Sequence, residues 1–130
     1  MDIYSYRTEV YRKWHDKLAP AHQELARQAF LKWARDDGAS GRRLSTNSDV
    51  LSVKLDEGNR ALGVILDCPK PNSLAVAWFF VGKHSDYEHF MKASRLEAAL
   101  AQIKSRIPKY HKAMAAREGL FKDRPGAAFK

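Results

Sequence analysis

The side chains best suited to moving protons near neutral pH gather in one short stretch. In "WFFVGKHSDYEHF", Trp78 to Phe90, an apolar run up to Gly82 gives way to Lys, His, Ser, Asp, Tyr, Glu and His in seven consecutive positions. Imidazole titrates near neutrality, so His84 is the leading candidate for a general acid or base. Tyr87 lies one helical turn further on, where it shares a face with His84 and can stack on a base or hold a hydroxyl. Asp86 and His89 are candidates for a second proton transfer. Lys54 points outward from a strand, and Arg60 opens the next strand across a tight turn. Both reach one sheet face, where they can clamp a phosphate. Lys83, His89, Arg42 and Arg43 complete the set of phosphate-binding candidates. Each group also has a structural reading. Ser85, Asp86 and Glu88 suit any helix N-terminus, His89 suits a solvated helix face, and Lys54 and Arg60 flank a turn beside Asp56 and Glu57.

Such a site needs a scaffold, and 130 residues fit one domain with a real core. The single Cys68 excludes an internal disulfide or a multi-cysteine metal site, and reads as a buried strand residue in a reducing cytoplasm. No Gly-rich phosphate loop, HExxH or zinc-type Cys/His spacing occurs, so neither metal nor cofactor is expected. The N-terminus lacks a basic-then-apolar leader, and no apolar run approaches the roughly 20 residues of a membrane span, so the expected location is cytoplasmic, without membrane contact. The net charge of +8 is uneven. Residues 1–49 carry nine Lys and Arg against seven Asp and Glu, residues 50–91 four against five, and residues 92–130 ten against three. A polyanionic partner fits that imbalance, as does a solvated basic helix and tail.

The elements follow from periodicity. "DIYSY" reads as a first short strand with Ile3 on one face and Tyr4 and Tyr6 on the other. Val10, Trp14 and Leu18 form the stripe of a first helix. Pro20 starts a second, with Leu25, Ala26, Ala29, Phe30 and Trp33 inward and Gly38 at its end. Residues 38–49 read as a loop. Three strands follow as an antiparallel meander. Residues 50–55 have Leu51, Val53 and Leu55 inward and Ser52 and Lys54 outward, residues 60–68 are central, and residues 73–82 complete it. Ser85 and Glu88 predict a capping box opening a helix, whose free N–H groups would attract phosphate beside His84. Leu96, Leu100, Ile103 and Ile107 continue that helix to a break at Pro108. A short helix ended by Gly119 and a frayed tail close the chain. The expected fold class is α+β: an N-terminal helical hairpin packed on a small antiparallel sheet, followed by C-terminal helices. Residues 1–91 form the core, and residues 92–130 a basic helical extension of the same domain with a flexible tail.

The order helix, helix, meander ending in "VGKHSDYEHF" resembles the RelE/ParE superfamily of bacterial toxins, including its HigB and YafQ branches. The resembling segments are "TEVYRKWHDKL" (8–18), "LSVKLDEGNRALGVI" (51–65) with its Asn59-Arg60 unit, and above all "FFVGKHSDYEHF" (79–90) with its Gly-x-His-x-x-aromatic signature. Many ribonuclease members carry an arginine on the last strand just before the histidine, whereas "AWFFV" is uncharged. The resemblance implies a type II toxin that cleaves mRNA, free or on the ribosome, without metal, and a cognate antitoxin as partner. With it, the catalytic candidates are His84, Tyr87, Arg60 and Lys54. A base would take the 2′-OH proton, an acid would protonate the leaving 5′-oxygen, and cations would stabilise the phosphate. The same resemblance also admits a ParE-like protein that binds DNA gyrase without cutting RNA, or a non-catalytic nucleic-acid or partner-binding module. Sequence does not fix the oligomeric state.

Overall fold

The fold was described from a computed structural model, which covers residues 2–44, 48–68, 70–92 and 95–116. The described elements are β1 (Asp2–Arg7), α1 (Glu9–Asp16), α2 (Pro20–Arg35), β2 (Gly41–Arg43), β3 (Val50–Asp56), β4 (Asn59–Leu66), β5 (Ser73–Lys83), α3 (His84–Lys92), α4 (Arg95–Ser105) and α5 (Ile107–Ala115). The strands form one sheet in the order β1-β5-β4-β3-β2.

This sheet corrects the expected architecture. A helical hairpin on a small antiparallel sheet does not describe it, because the chain starts with a strand and the sheet is mixed. β1 lies parallel to β5, from Asp2 opposite Ser73 to Arg7 opposite Trp78. The other pairings are antiparallel. Helices cover both faces, so the strands are apolar on both sides, the pattern of a buried sheet. Tyr4, Tyr6, Val50, Leu62, Val64 and Phe79 pack against α3–α5 through Phe90, Leu100, Ile103, Tyr110 and Met114. Ile3, Leu51, Val53, Ala61, Val76 and Trp78 pack against α1 and α2 through Tyr11, Phe30, Leu31 and Trp33. Ile3 and the two tyrosines thus face opposite sides, as alternation requires.

The second face also overturns a detail of β3. Val50 to Val53 are all buried, Ser52 included, so Ser52 does not point to solvent. β2 occupies three residues of the segment expected as loop. Its Gly41 is held close to Leu51, where a Cβ would lie 2.9 Å from Leu51 Cδ1. Central β4 needs glycine at position 63, because a Cβ there would collide with Val76 and sit 2.9 Å from Trp78 Cε3. The register shifts at this point, leaving Phe79 as the extra residue of β5 between Trp78 and Phe80. After this bulge both Phe79 and Phe80 join the α3–α5 side.

Local chemistry sets the helix ends. Thr8 caps α1, its Oγ1 accepting from Tyr11 N–H at 3.1 Å while donating to the Trp78 carbonyl at 2.7 Å. α2 closes where Gly38, at φ +86°, donates its N–H to the Trp33 carbonyl at 2.8 Å. The long helix expected up to Pro108 is instead described as α3 and α4. α4 ends at Ser105, short of the break expected at Pro108, and Pro108 itself sits in the first turn of α5, where a missing N–H costs no bond. The expected end at Gly119 and the frayed tail lie outside the described residues.

Candidate functional site

The site is built on the β3–β4 turn. Asp56 Oδ1 accepts from Asn59 Nδ2 and from Gly58 N–H, each at 2.9 Å. These two bonds, the Asn59 amide first, hold the Asp56 carboxyl below its ordinary range. Gly58 then turns its carbonyl to the other strand end and accepts from His84 N–H at 2.8 Å. The turn therefore fixes the point where β5 becomes α3, and with it the histidine.

This contact revises two expectations. α3 begins at His84, directly after β5, so Ser85 sits within the first turn and no capping box opens the helix. The His84 N–H is already engaged by Gly58, which reduces the anion-binding capacity expected of this terminus. Glu88 also has a different role from the one expected. Four residues on from His84, it meets the imidazole Nε2 through Oε1 at 3.0 Å. A carboxylate only accepts, so Nε2 carries the hydrogen in this bond, and Nδ1 of the neutral ring is left to take a proton. Both side chains are about half exposed, 53% and 54%.

Arg60, Tyr87 and His84 form a column. The Arg60 guanidinium carbon lies 4.9 Å from the Tyr87 ring centre. The Tyr87 ring lies 5.7 Å from the His84 ring, nearly parallel at 23°. Behind it, Tyr87 leans on Phe80 at 6.5 Å, and Phe80 on Phe90 at 5.5 Å. Arg60 stands directly opposite Gly82 on β5 and opposite Lys54 on β3. The structure thus brings together Arg60, Tyr87 and His84, with Lys54 as cross-strand neighbour. Lys54 Nζ, however, turns to Glu57 Oε1 at 2.8 Å, in an exposed pair.

The remaining candidates are less central. Lys83 is the cross-strand partner of Asn59, so alternation puts it on the face opposite Arg60. His89 is exposed on α3, about 140° round the helix from His84. Asp86 lies exposed in the first turn of α3. Arg42 and Arg43 lie on β2, opposite Ser52 and Leu51, and so on opposite faces. Both nevertheless line an open groove of about 930 Å³ that also takes in Lys32, Ser52, Lys54 and Arg60. Arg43 further donates to the Ser48 carbonyl at 3.2 Å. Sequence reasoning missed Gly58 as the anchor of His84, Glu88 as its ring partner, and Lys32 in the groove. The His84–Glu88 pair had a readable signal, its i, i+4 spacing.

Among the described residues no three His, Cys, Asp or Glu side chains gather as a metal site. Among them, too, no helix is long and apolar enough to cross a membrane. Comparison of the chain with family models, curated proteins and solved structures gives no match.

Proposed function

We propose that this chain is the toxin of a toxin–antitoxin pair and acts as a metal-independent endoribonuclease on mRNA. The observation that carries this reading is the Arg60–Tyr87–His84 column with Glu88 on the outer ring nitrogen. It supplies the groups that phosphodiester cleavage needs. His84 Nδ1 takes the proton of the 2′-OH, and the 2′-oxygen attacks phosphorus. Arg60 stabilises the added negative charge. The P–O5′ bond breaks, with Tyr87 donating its phenolic proton to the leaving oxygen, and the products are a 2′,3′-cyclic phosphate and a 5′-hydroxyl. Glu88 positions the ring and stabilises the imidazolium, as the third member of a nucleophile–base–orienter set does. Arg60 also supplies, from the neighbouring strand, the guanidinium that "AWFFV" lacks. The "FFVGKHSDYEHF" segment supports the toxin assignment, and an antitoxin belongs to the same reading.

Purified chain incubated with end-labelled RNA tests it. Cleavage to a 5′-hydroxyl end, abolished by 2′-deoxy substitution at the cut position, is expected. RNA left intact at any ribosome content would favour the gyrase-binding or non-catalytic alternatives.

A further inference from the structure

The polar side of α4 and α5 has no part in the column described above, yet it carries the strongest charge imbalance of the described chain. Arg95, Lys104, Arg106, Lys109 and Lys112 are exposed there against a single acid, Glu97. Elsewhere some exposed cations are neutralised, Lys13 by Glu9, Arg27 by Glu24 and Lys54 by Glu57, while others, such as Lys32, Arg35 and Arg42, are in no ion pair among the described residues but are spread over separate elements with acids nearby in the chain. None of the five α4–α5 cations is in an ion pair among the described residues. The opposite side of these helices is firmly seated through Ala99, Leu100, Ile103, Tyr110 and Met114. Tyr110 meets Tyr6 in a tilted contact at 5.1 Å, and Lys70 reaches the Met114 carbonyl at 2.8 Å. The cations therefore stand on a fixed surface.

We infer that the α4–α5 face is a second binding surface, one that grips the phosphate backbone of a single-stranded RNA beyond the cut site. The inference rests on the ribonuclease reading for its choice of RNA. The alternative occupant of a basic face is an acidic protein, and the surface argues against it. Protein interfaces are anchored by buried apolar or aromatic side chains, and among the described residues no large hydrophobic side chain is exposed. Backbone binding needs only cations, through counterion release. The surface runs away from the column. Its near end is Arg106, which lines a cleft with Thr8 and Phe79, and Phe79 is three residues of strand from Gly82, about 10 Å. Its far end is Met114 in the last turn of α5, beside Lys70 and Tyr4, and Tyr4 pairs with Ala75 on β5, seven residues from Gly82, about 23 Å. Stacked nucleotides rise about 3.4 Å each, so about three reach the near end and about seven the far end. A two-nucleotide RNA is too short to bridge the column and this surface, and a twenty-nucleotide RNA touches both.

The test uses full-length chain carrying His84→Ala to prevent cutting, with and without Lys104→Gln, Arg106→Gln, Lys109→Gln and Lys112→Gln, all exposed positions. Far-UV circular dichroism checks that the fold is kept. The four changes are expected to weaken binding of a twenty-nucleotide uridine RNA by about 10- to 100-fold at low salt. They should also flatten the log K against log salt slope by about 2 to 3, at roughly 0.7 per lost contact. Binding of a two-nucleotide RNA, too short to bridge the column and this surface, should change far less. Unchanged affinity and slope for the long RNA would overturn the inference, and so would a loss confined to poly-glutamate. Cleavage is read separately on chain with His84 intact. Absence of cleavage with a flattened slope removes the ribonuclease reading and leaves this surface standing.

Discussion

β5 has two very different ends. From Ala75 to Phe79 it is buried on both faces: Phe30 and Trp33 meet Trp78 edge-on at 4.7 and 5.3 Å, and Phe79 stacks on Phe90. Four residues past Phe79, at Lys83 and His84, the same chain is exposed. The dry half explains why the wet half holds its shape. His84 has no packed surroundings of its own and is fixed by borrowed contacts: its N–H on Gly58, its ring on Tyr87 and Glu88, and Tyr87 on Phe80. An exposed site on a rigid strand end stays both accessible and positioned.

That contrast predicts separable effects. Trp33→Ala should cost about 3–5 kcal/mol of stability, read as a lower urea midpoint; a loss below 1 kcal/mol would mean the aromatic cluster is not the core. Arg60→Ala should leave the midpoint near wild type and slow RNA cleavage by about 10²–10³-fold. Arg60→Lys should recover little, since it keeps the charge and loses the forked guanidinium over Tyr87. Ser5→Ala leaves the buried Trp78 indole N–H without its 2.6 Å acceptor, and should cost about 1–3 kcal/mol with cleavage intact. The smallest effect concerns pH. His15 is held below its ordinary value of 6.5, by burial first and then by Arg7. The folded chain resists its protonation, so as pH falls below 6.5 the unfolded chain takes the proton first and stability declines. His15→Gln should flatten that part of a stability-versus-pH curve, and an unaltered slope would show that His15 does not contribute to it.

Much of the wet end was legible in the sequence, because its signals are local. The Asp56–Asn59 turn, central β4 and the strand-to-helix change near His84 each occupy a few adjacent residues. The dry end was less so. β1 pairs parallel with a strand some 70 positions away, and such a partner leaves no turn between the two strands to read. Alternation alone points Ser52 to solvent, because it does not reveal that a second helical layer covers its face. β2 hides in a glycine-, serine- and arginine-rich segment, since three residues carry no periodicity. Glu88 reads as a cap in the sequence because a carboxylate near a helix start serves a backbone N–H as well as an imidazole.

The most direct measurement maps RNA 5′ ends in cells induced to express the chain, beside cells expressing His84→Ala. The account predicts new 5′-hydroxyl ends with the wild type only, and a His84→Ala protein that accumulates folded. New ends of equal abundance from both would contradict the site, and growth arrest without any new ends would contradict the ribonuclease.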